Sequence, residues 1–250
     1  MKVKSAHFAL FFIAVLCLSN PLRAQDTNKT AIWYGYFFTI PVDKKWYVVT
    51  EIQERHFVAP FSQNQFLVRT RLHRILGKNW DASTGSSIFL IHRKGSFEND
   101  DFNWPELRPH LELSYKSNLN FITLEQRLRA EARFFQNLNQ TRDGLGEGFS
   151  FQAFRFRYRL QAAIPIAKIK GEKSMKLKIA DEVMGQTGGD FEELTFDQNR
   201  ISADFSLEVT SNLLVEVGYV YWHQSLPSAG YLDQHIFRTY LRHRIDLSKK

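Results

Sequence analysis

The stretch FRFRYRLQ at residues 154–161 decides the fold class of this 250-residue chain. Its side chains alternate strictly, with Phe154, Phe156, Tyr158 and Leu160 set against Arg155, Arg157, Arg159 and Gln161. Alternation with period two is the pattern of a β-strand whose two faces meet different surroundings. The stretch therefore predicts a strand with one apolar face and one strongly charged face.

The same alternation returns along most of the chain, at residues 66–73, 107–116, 122–134 and 200–209. Many of these segments are longer than the mode of about 5–6 residues for globular strands. They reach the roughly 9–11 residues that a tilted strand needs to cross a bilayer. No later segment has the apolar length of a spanning helix. The pattern favours membrane-crossing strands, although a soluble periplasmic β-sandwich also alternates and stays the alternative.

The spacing of the connections favours the membrane reading. Short turns are predicted at 41–45, 77–79, 117–118 and 211–212. Longer Gly-, Asp- and Asn-rich loops are predicted between them, at 58–64, 94–103, 137–148, 185–198 and 225–233. Short periplasmic turns opposite long external loops are typical of outer-membrane barrels.

We therefore predict an all-β fold, an antiparallel transmembrane β-barrel of about 10–12 strands in the outer membrane of a Gram-negative bacterium. The barrel forms a single domain over residues 25–250. Ten strands follow from Trp46, ending with 236–247 on the periplasmic side, and 32–40 would add an odd one. Because such barrels normally have an even count, ten or twelve are expected. Trp46, Trp80, Trp104 and Trp222 lie near strand ends and are predicted to form interfacial girdles, with core tryptophan as the alternative.

The first 24 residues are predicted to be a cleavable signal peptide. Lys2 and Lys4 precede an apolar run at 8–18, and Ala24 supplies a small residue before the cut. The run is too short to cross a bilayer, so an N-terminal membrane anchor is the weaker alternative. The single cysteine, Cys17, lies inside the run, and cleavage would leave a chain without thiols.

The polar faces of the strands are rich in arginine and glutamate. An arginine facing lipid near the midplane costs about 2–4 kcal/mol, so these side chains are predicted to line the lumen. The predicted lumen-facing ladder is Glu51, Arg55, Arg69, Arg71, Glu112, Glu125, Arg127, Arg129, Glu131, Arg133, Arg155, Arg157, Arg159, Glu208, Arg238, Arg242 and Arg244.

The ladder supports two interpretations. The lumen of a barrel of this size is normally filled by side chains, and cross-strand Arg–Glu pairs would then form an ionic plug that keeps it closed. Alternatively, the ladder lines a narrow path whose excess arginine favours a small anionic solute. The formal net charge is +7, but no long basic run occurs, so nucleic acid is not an expected partner.

His223 and Ser225 carry the enzymatic alternative. A histidine two residues before a serine, at the outer end of a strand, is similar to the arrangement in outer-membrane phospholipases. Hydrolysis would need the imidazole to accept the serine proton and a third polar group to orient it. Leu226 and Pro227 follow, whereas those enzymes carry Asn-Gly. We therefore predict a non-enzymatic protein, with lipid hydrolysis as the alternative.

No metal or cofactor site is predicted. The remaining histidines lie on separate segments, without the close spacing of metal ligands: His56, His73, His92, His110, His235 and His243. Acidic clusters at 98–101 and 190–193 do not match a calcium-binding loop and are interpreted as solvated loops.

Six short segments, taken in order, resemble a known family. They are WYVVTEIQER at 46–55, QFLVRTRL at 65–72, LEQRLR at 124–129, FRFRY at 154–158, DQNR at 197–200 and VGY at 217–219. Together they resemble an outer-membrane barrel family catalogued as domain of unknown function 2490, over about residues 33–247. The resemblance implies export and a barrel, but no substrate, reaction or catalytic residue. Such a barrel would have outer-membrane lipids and the barrel assembly machinery as partners, and its oligomeric state is left open.

Overall fold

The computed structural model describes residues 27–94, 101–168, 173–226 and 230–247. The predicted signal peptide, Cys17 and the last three residues lie outside the described residues. Within those ranges the chain forms strands and turns, and no helix is long and apolar enough to cross a membrane.

The eleven described strands form one closed sheet. They are β1 (Thr27–Pro41), β2 (Trp46–Val58), β3 (Phe61–Ile75), β4 (Trp80–Arg93), β5 (Phe102–Leu119), β6 (Ile122–Leu138), β7 (Leu145–Lys168), β8 (Ser174–Gly188), β9 (Phe191–Glu208), β10 (Leu213–Leu226) and β11 (Gly230–Arg244). Consecutive strands pair antiparallel, and β1 pairs with β11 to close the barrel. The predicted barrel is confirmed, and a single closed sheet excludes the two-sheet sandwich.

The strand count corrects the expectation of an even number. The predicted odd segment, 32–40, lies within β1 and is part of the barrel. Successive strands alternate in direction, so the first and the eleventh strand run the same way. β1 and β11 therefore pair in parallel, from Thr27↔Leu232 to Thr39↔Arg244. A parallel ladder is slightly less stable per residue, but closure leaves no unpaired sheet edge.

The two ends of the barrel differ in their connections. One end, which we call the turn end, carries the short connections 42–45, 76–79, 120–121 and 209–212. The turn predicted at 117–118 lies at 120–121, where Asn120 adopts a φ of 55°. The other end, the hairpin end, carries the connections after β2, β4, β6, β8 and β10.

Most of the predicted long loops at the hairpin end are strand. Strand β6 continues to Leu138 and β7 begins at Leu145, while β8 and β9 are separated only by residues 189–190. The backbone ladder satisfies N–H and C=O groups whatever the side chains are, so a polar, glycine-rich segment can stay paired. The prediction of long irregular loops is therefore wrong for the described residues, because a loop-like composition does not prevent strand pairing. Residues 95–100 and 227–229 of the loops predicted at 94–103 and 225–233 lie outside the described residues.

Asp43 shapes the turn between β1 and β2. Its carboxylate accepts hydrogen bonds from the backbone N–H groups of Lys45 at 2.6 Å and Trp46 at 2.7 Å. These donors hold the pKa of the Asp43 carboxyl below its usual range, because they favour its charged form. The turn thereby fixes where β2 starts.

Apolar side chains face outward and charged side chains face inward. In β7, Phe154 and Phe156 are each 48% exposed, whereas Arg155 and Arg157 are 4% and 8% exposed. Soluble proteins show the opposite arrangement. The outward apolar surface continues around the barrel through Ile52, Leu72, Ile88, Leu111, Leu128, Ile179, Val183, Ile201, Phe205, Val217, Phe237 and Leu241. A surface of this extent requires an apolar partner or an apolar solvent.

The tryptophans divide into two groups. Trp46 and Trp80 lie at the turn end, where the Trp80 and Tyr115 rings are tilted by 48° with centroids 4.7 Å apart and Arg74 lies 5.1 Å from the Trp46 ring. Trp104 and Trp222 lie on inward-facing positions, and Trp222 packs edge-on against Trp33 at 5.7 Å. The girdle prediction is wrong for this second pair, because the barrel interior turns apolar near the hairpin end and takes up large rings.

Candidate functional site

The interior of the barrel changes character along its axis. Near the hairpin end, five buried apolar side chains pack together: Ala31, Trp33, Val220, Trp222 and Ile236. Buried charged side chains occupy the middle of the barrel. A cavity of about 570 Å³ extends from the turn end into this interior. The candidate site consists of these three parts of the interior: the apolar cluster, the buried charges and the cavity.

Six buried side chains in the middle form a closed ring of alternating charge, which we call the charge ring. In order around it they are Glu112, Arg129, Glu131, Arg157, Glu182 and Arg127. The N–O distances between successive neighbours are 2.5, 3.3, 2.9, 2.8, 2.5 and 3.6 Å. Three carboxylates face three guanidinium groups, so the ring is neutral as a whole although every member is buried.

The charge ring extends to β2 and β3. Arg71 lies 3.7 Å from Glu112 of the ring and 3.5 Å from Glu51. Glu51 in turn binds Arg69 at 2.7 Å. Ion pairs thus connect β2, β3, β5, β6, β7 and β8 along the inner wall of the barrel. Isolated buried charges are costly, and each of these has an opposite charge within 4.0 Å.

Further ion pairs surround the ring. Each joins a carboxylate to a basic side chain, either on the same strand or on a different one. They are Glu106 with Arg108 and Arg133, Arg155 with Asp197, Arg238 with Asp204, Glu216 with Lys178 and Arg242, and Glu125 with Arg159 and Lys116.

Two inward-facing glycines let side chains cross a strand. Gly218 of β10 is the register partner of both Asp204 on β9 and Arg238 on β11. A Cβ at Gly218 would overlap the Asp204 carboxylate, so only a glycine allows the Arg238–Asp204 pair, at 2.5 Å, to form over it. Gly85 of β4 likewise lies between Arg71 and His110, and a Cβ there would meet the Thr70 carbonyl oxygen. Arg71 therefore reaches over β4 to Glu112.

The structure places most of the predicted ladder inside the barrel, from Glu51 on β2 to Arg242 on β11. Two members lie elsewhere, at the turn-end rim. Arg244 is exposed, and Glu208 pairs with Lys176 at 3.7 Å and accepts a hydrogen bond from the Ser174 backbone at 3.0 Å. These two positions follow the inward alternation, but their strands end there, so water surrounds them.

Sequence reasoning left out several interior charges. They are Glu106, Arg108, Lys178, Glu182, Asp197, Arg200, Asp204 and Glu216. The missed signal is clearest in β8, where Lys178, Ala180, Glu182, Met184 and Gln186 face inward and alternate with the outward residues Leu177, Ile179, Asp181, Val183 and Gly185. Because the inward face carries charged, polar, small and apolar side chains together, the alternation of polarity is hard to see, although inward and outward positions still alternate along the strand.

The cavity ends inside the barrel. At the turn end its lining includes residues 77–80, and at its inner limit Trp33, Phe89 and Val220. A second cavity of about 1010 Å³ lies at the hairpin end beside Trp104 and Phe135. Among the described residues, none lines both cavities. Trp33 and Val220 of the apolar cluster line the first cavity, whereas Glu106 and Arg155 line neither.

His223 and Ser225 lie on the outward face of β10, near the hairpin end. The His223 Nδ1 atom lies 2.7 Å from the Asp233 carboxylate of β11, and its ring stacks on Tyr231 at 4.6 Å. Within the described residues no hydrogen bond joins Ser225 to His223. The structure thus adds to the predicted pair the third polar group that orients an imidazole.

In the part of the chain that the structure describes, no group of three or more His, Cys, Asp or Glu side chains could hold a metal ion. The acidic residues predicted at 98–100 lie outside the described residues. Asp101 pairs with His92 at 3.2 Å.

The fold and its interior define a class of protein, the single-chain closed β-barrel that exposes its apolar side chains and buries its charges. The chain belongs to the family of proteins of unknown function designated DUF2490, whose profile matches residues 30–239. The resemblance found in the sequence is therefore confirmed. No curated protein matches the chain. A solved structure titled "NanC porin structure in rhombohedral crystal form" is similar, with a TM-score of 0.49 and 10% sequence identity, over 82% of this chain and 94% of that chain.

Proposed function

We propose that this protein is an outer-membrane β-barrel whose interior is closed, and that it serves as a non-enzymatic envelope scaffold rather than as a steadily open channel. The observation that carries this proposal is the closed charge ring together with the apolar cluster next to it. The charge ring covers the inner wall of the neighbouring strands β5–β8, and the apolar cluster covers that of β10, β11 and β1, so both take up space inside a barrel that exposes apolar side chains to its surroundings.

The outward surface supports the membrane location. Phe154, Phe156 and Leu111 are more than a third exposed, while the arginines of the same strands are buried. In the reverse orientation each arginine would cost about 2–4 kcal/mol near the lipid midplane. The aromatic pair Trp80–Tyr115 at the turn end suits an interfacial position. The predicted signal peptide would supply export, and the outward face would contact outer-membrane lipids.

The interior supports closure. A conducting path needs continuous space from one end to the other, and among the described residues none lines both the 570 Å³ cavity and the 1010 Å³ cavity at the hairpin end. The charge ring holds its members by ion pairs to two or more partners each, so these side chains stay fixed where they line the cavity and narrow it. A barrel of this size has a lumen that side chains can fill.

Planar-bilayer recording tests the proposal. The refolded wild-type barrel, checked for folding by heat-modifiable gel mobility, is expected to give no steady current. The double variant Trp33→Ala, Trp222→Ala removes the two largest rings of the apolar cluster and is expected to give measurable conductance. A steady, anion-selective current from the wild type would replace the closed scaffold with the narrow-transport interpretation.

The His223–Asp233 contact favours a second candidate function, ester hydrolysis on the outer surface of the barrel. Asp233 would hold the imidazole through Nδ1–H, which leaves Nε2 to accept the Ser225 hydroxyl proton as Oγ attacks an ester carbonyl carbon. The protonated imidazole would give that proton to the leaving alcohol, and water would then release the acid from the acyl-serine. Since the side chains face outward, the substrate class is a membrane lipid ester.

Release of fatty acid from phospholipid vesicles tests this second function. If it holds, Ser225→Ala and His223→Ala each lower the rate by about 10³-fold or more, as in other serine hydrolases. Ser62→Ala, at an exposed serine of the same end, serves as the matched control and keeps the wild-type rate. Hydrolysis that survives Ser225→Ala, or no hydrolysis by the wild type, removes the enzymatic candidate.

A further inference from the structure

Two interior arginines differ from all the others described. Arg69, Arg71, Arg108, Arg127, Arg129, Arg133, Arg155, Arg157, Arg159, Arg238 and Arg242 each have a carboxylate within 4.0 Å. Among the described residues, Arg55 and Arg200 have none. Arg55 is 6% exposed, so it is a buried cation without a counter-charge. This is the arrangement in which removal from water is least compensated.

Both arginines lie around the same tryptophan. The Arg55 guanidinium carbon is 3.9 Å from the centroid of the Trp33 ring, and that of Arg200 is 5.6 Å from it. Arg200 also lies 4.1 Å from the Trp222 ring. Two like charges are therefore held beside one aromatic ring, at the inner limit of the cavity that opens at the turn end.

The polar partners of these arginines are neutral and incomplete. Arg55 donates to the side-chain oxygens of Gln65 at 2.9 Å and Gln53 at 3.0 Å, and Arg200 donates to Gln198 at 2.7 Å. The Nε atoms of both arginines are buried without a hydrogen-bond partner. The indole nitrogen of Trp33, which is 3% exposed, is unpartnered as well. Three donors and two positive charges thus converge on one region, and among the described residues no carboxylate lies within 4.0 Å of either guanidinium.

We propose that Trp33, Arg55 and Arg200 form a binding site for a small oxyanion with two negative charges, such as inorganic phosphate or a short dicarboxylate. The anion enters through the turn end of the cavity. The site rests on the proposed function in one respect, since a blind cavity retains the anion where an open channel would pass it.

The chemistry of the site selects this ligand class. A guanidinium presents a planar set of N–H donors that matches the oxygens of phosphate and carboxylate, and charge-assisted bonds of this kind are strong. The cavity volume of about 570 Å³ lies within the usual 300–1,000 Å³ of small-molecule sites. Seven carboxylates line the cavity, and each pairs with a basic side chain other than Arg55 and Arg200, which leaves the charge of these two arginines at the inner limit without a counter-ion: Glu51, Asp81, Glu112, Glu125, Glu182, Asp204 and Glu216.

Tryptophan fluorescence gives a direct test, because Trp33 and Trp222 lie at the site. Refolded wild-type barrel is titrated with inorganic phosphate and, separately, with succinate, at constant ionic strength set by chloride. We expect a saturable fluorescence change with at least one of the two anions and none with acetate. Arg55→Met and Arg200→Met are each expected to weaken binding by about tenfold or more, the effect of losing one charge-assisted contact.

Arg74→Met is the matched control. Arg74 also lies over a tryptophan, 5.1 Å from the Trp46 ring, but it is exposed and outside the cavity. It is expected to bind as the wild type does. Arg55→Lys keeps the positive charge but loses the planar set of N–H donors. If a methionine variant does not fold, the affinity of Arg55→Lys for phosphate tests the site instead. Wild-type binding in Arg55→Lys would then overturn the proposal.

Unfolding midpoints separate an anion site from a structural anchor. Without anion, Arg55→Met is expected to unfold at the wild-type midpoint or above it, because it removes an unpaired buried charge. Added phosphate is expected to raise the midpoint of the wild type but not that of Arg55→Met. A lowered midpoint together with undiminished phosphate binding would assign Arg55 a structural role and overturn the proposal. So would the absence of a saturable response to either anion in the wild type. A conducting barrel that still binds phosphate overturns only the closed-scaffold function.

Discussion

Glu112→Gln is expected to lower the free energy of unfolding by about 3–5 kcal/mol, the cost of breaking a buried ion pair by removing one partner. The Glu112 carboxylate has three guanidinium groups within 4.0 Å: Arg129 at 2.5 Å, Arg127 at 3.6 Å and Arg71 at 3.7 Å. Glutamine keeps the shape of the side chain but removes the negative charge. The ring would then hold three cations against two carboxylates. Urea unfolding followed by tryptophan fluorescence and by gel mobility measures the loss.

Glu125→Gln is the control for Glu112→Gln, because the same chemical change is made on the same inward alternation. Glu125 pairs with Arg159 at 2.6 Å and with Lys116, whose side chain is 61% exposed. Arg159 and Glu125 are 24% and 16% exposed, so water reaches part of this pair, and the loss is expected to be smaller than for Glu112→Gln. Equal losses in the two variants would show that the charge ring has no special role in stability.

Gly218→Val is expected to cost at least about 3 kcal/mol, or to prevent folding. The added Cβ would overlap the Asp204 carboxylate and lie 2.6 Å from the Ala203 carbonyl oxygen. Overpacking of this kind costs about 1–3 kcal/mol. Displacing Asp204 also leaves Arg238 without its 2.5 Å partner inside the barrel, and an unpaired buried charge adds a further penalty. The midpoint of unfolding and the fraction of folded protein on unheated gels report the effect.

Gly77→Val is the matched control for Gly218→Val. Gly77 lies in the turn between β3 and β4, where a Cβ would meet nothing within 4 Å. Its substitution is expected to change stability by no more than about 0.5 kcal/mol. In a double-mutant cycle, Asp204→Ala with Arg238→Met should reduce the cost of Gly218→Val. A Gly218→Val barrel as stable as Gly77→Val would contradict the crossing of side chains over β10.

The faces of the strands could be predicted from the sequence, but the partners of the charges could not. Alternation at Phe154–Arg157 alone separates the outward rings from the inward arginines, because side chains of a strand point to opposite faces in turn. That Arg157 meets Glu131 and Glu182 depends on register across three strands. Register follows from closure of the whole barrel, which no local pattern contains.

Gly85 and Gly218 show a second limit of the sequence. Each interrupts an alternating strand and, read alone, weakens the prediction of that strand. In the closed sheet each supplies the space over which Arg71 or Arg238 reaches a carboxylate two strands away.

The apolar cluster was missed for a related reason. In β10 Val220 and Trp222 face inward while Val217 and Tyr219 face outward, so the strand shows no alternation of polarity.

The parallel pairing of β1 with β11 also bears on how the chain folds. Ten of the eleven ladders join strands that are consecutive in the chain, so each can form as a local hairpin. Only the seam joins the two extremes, with Thr27 opposite Leu232, and it carries the largest loss of chain entropy on closure. We therefore expect the pairing of β1 with β11 to be the slow step of folding. Until it is complete, β1 and β11 present open edges, and an open edge is where another protein can add a strand and guide insertion.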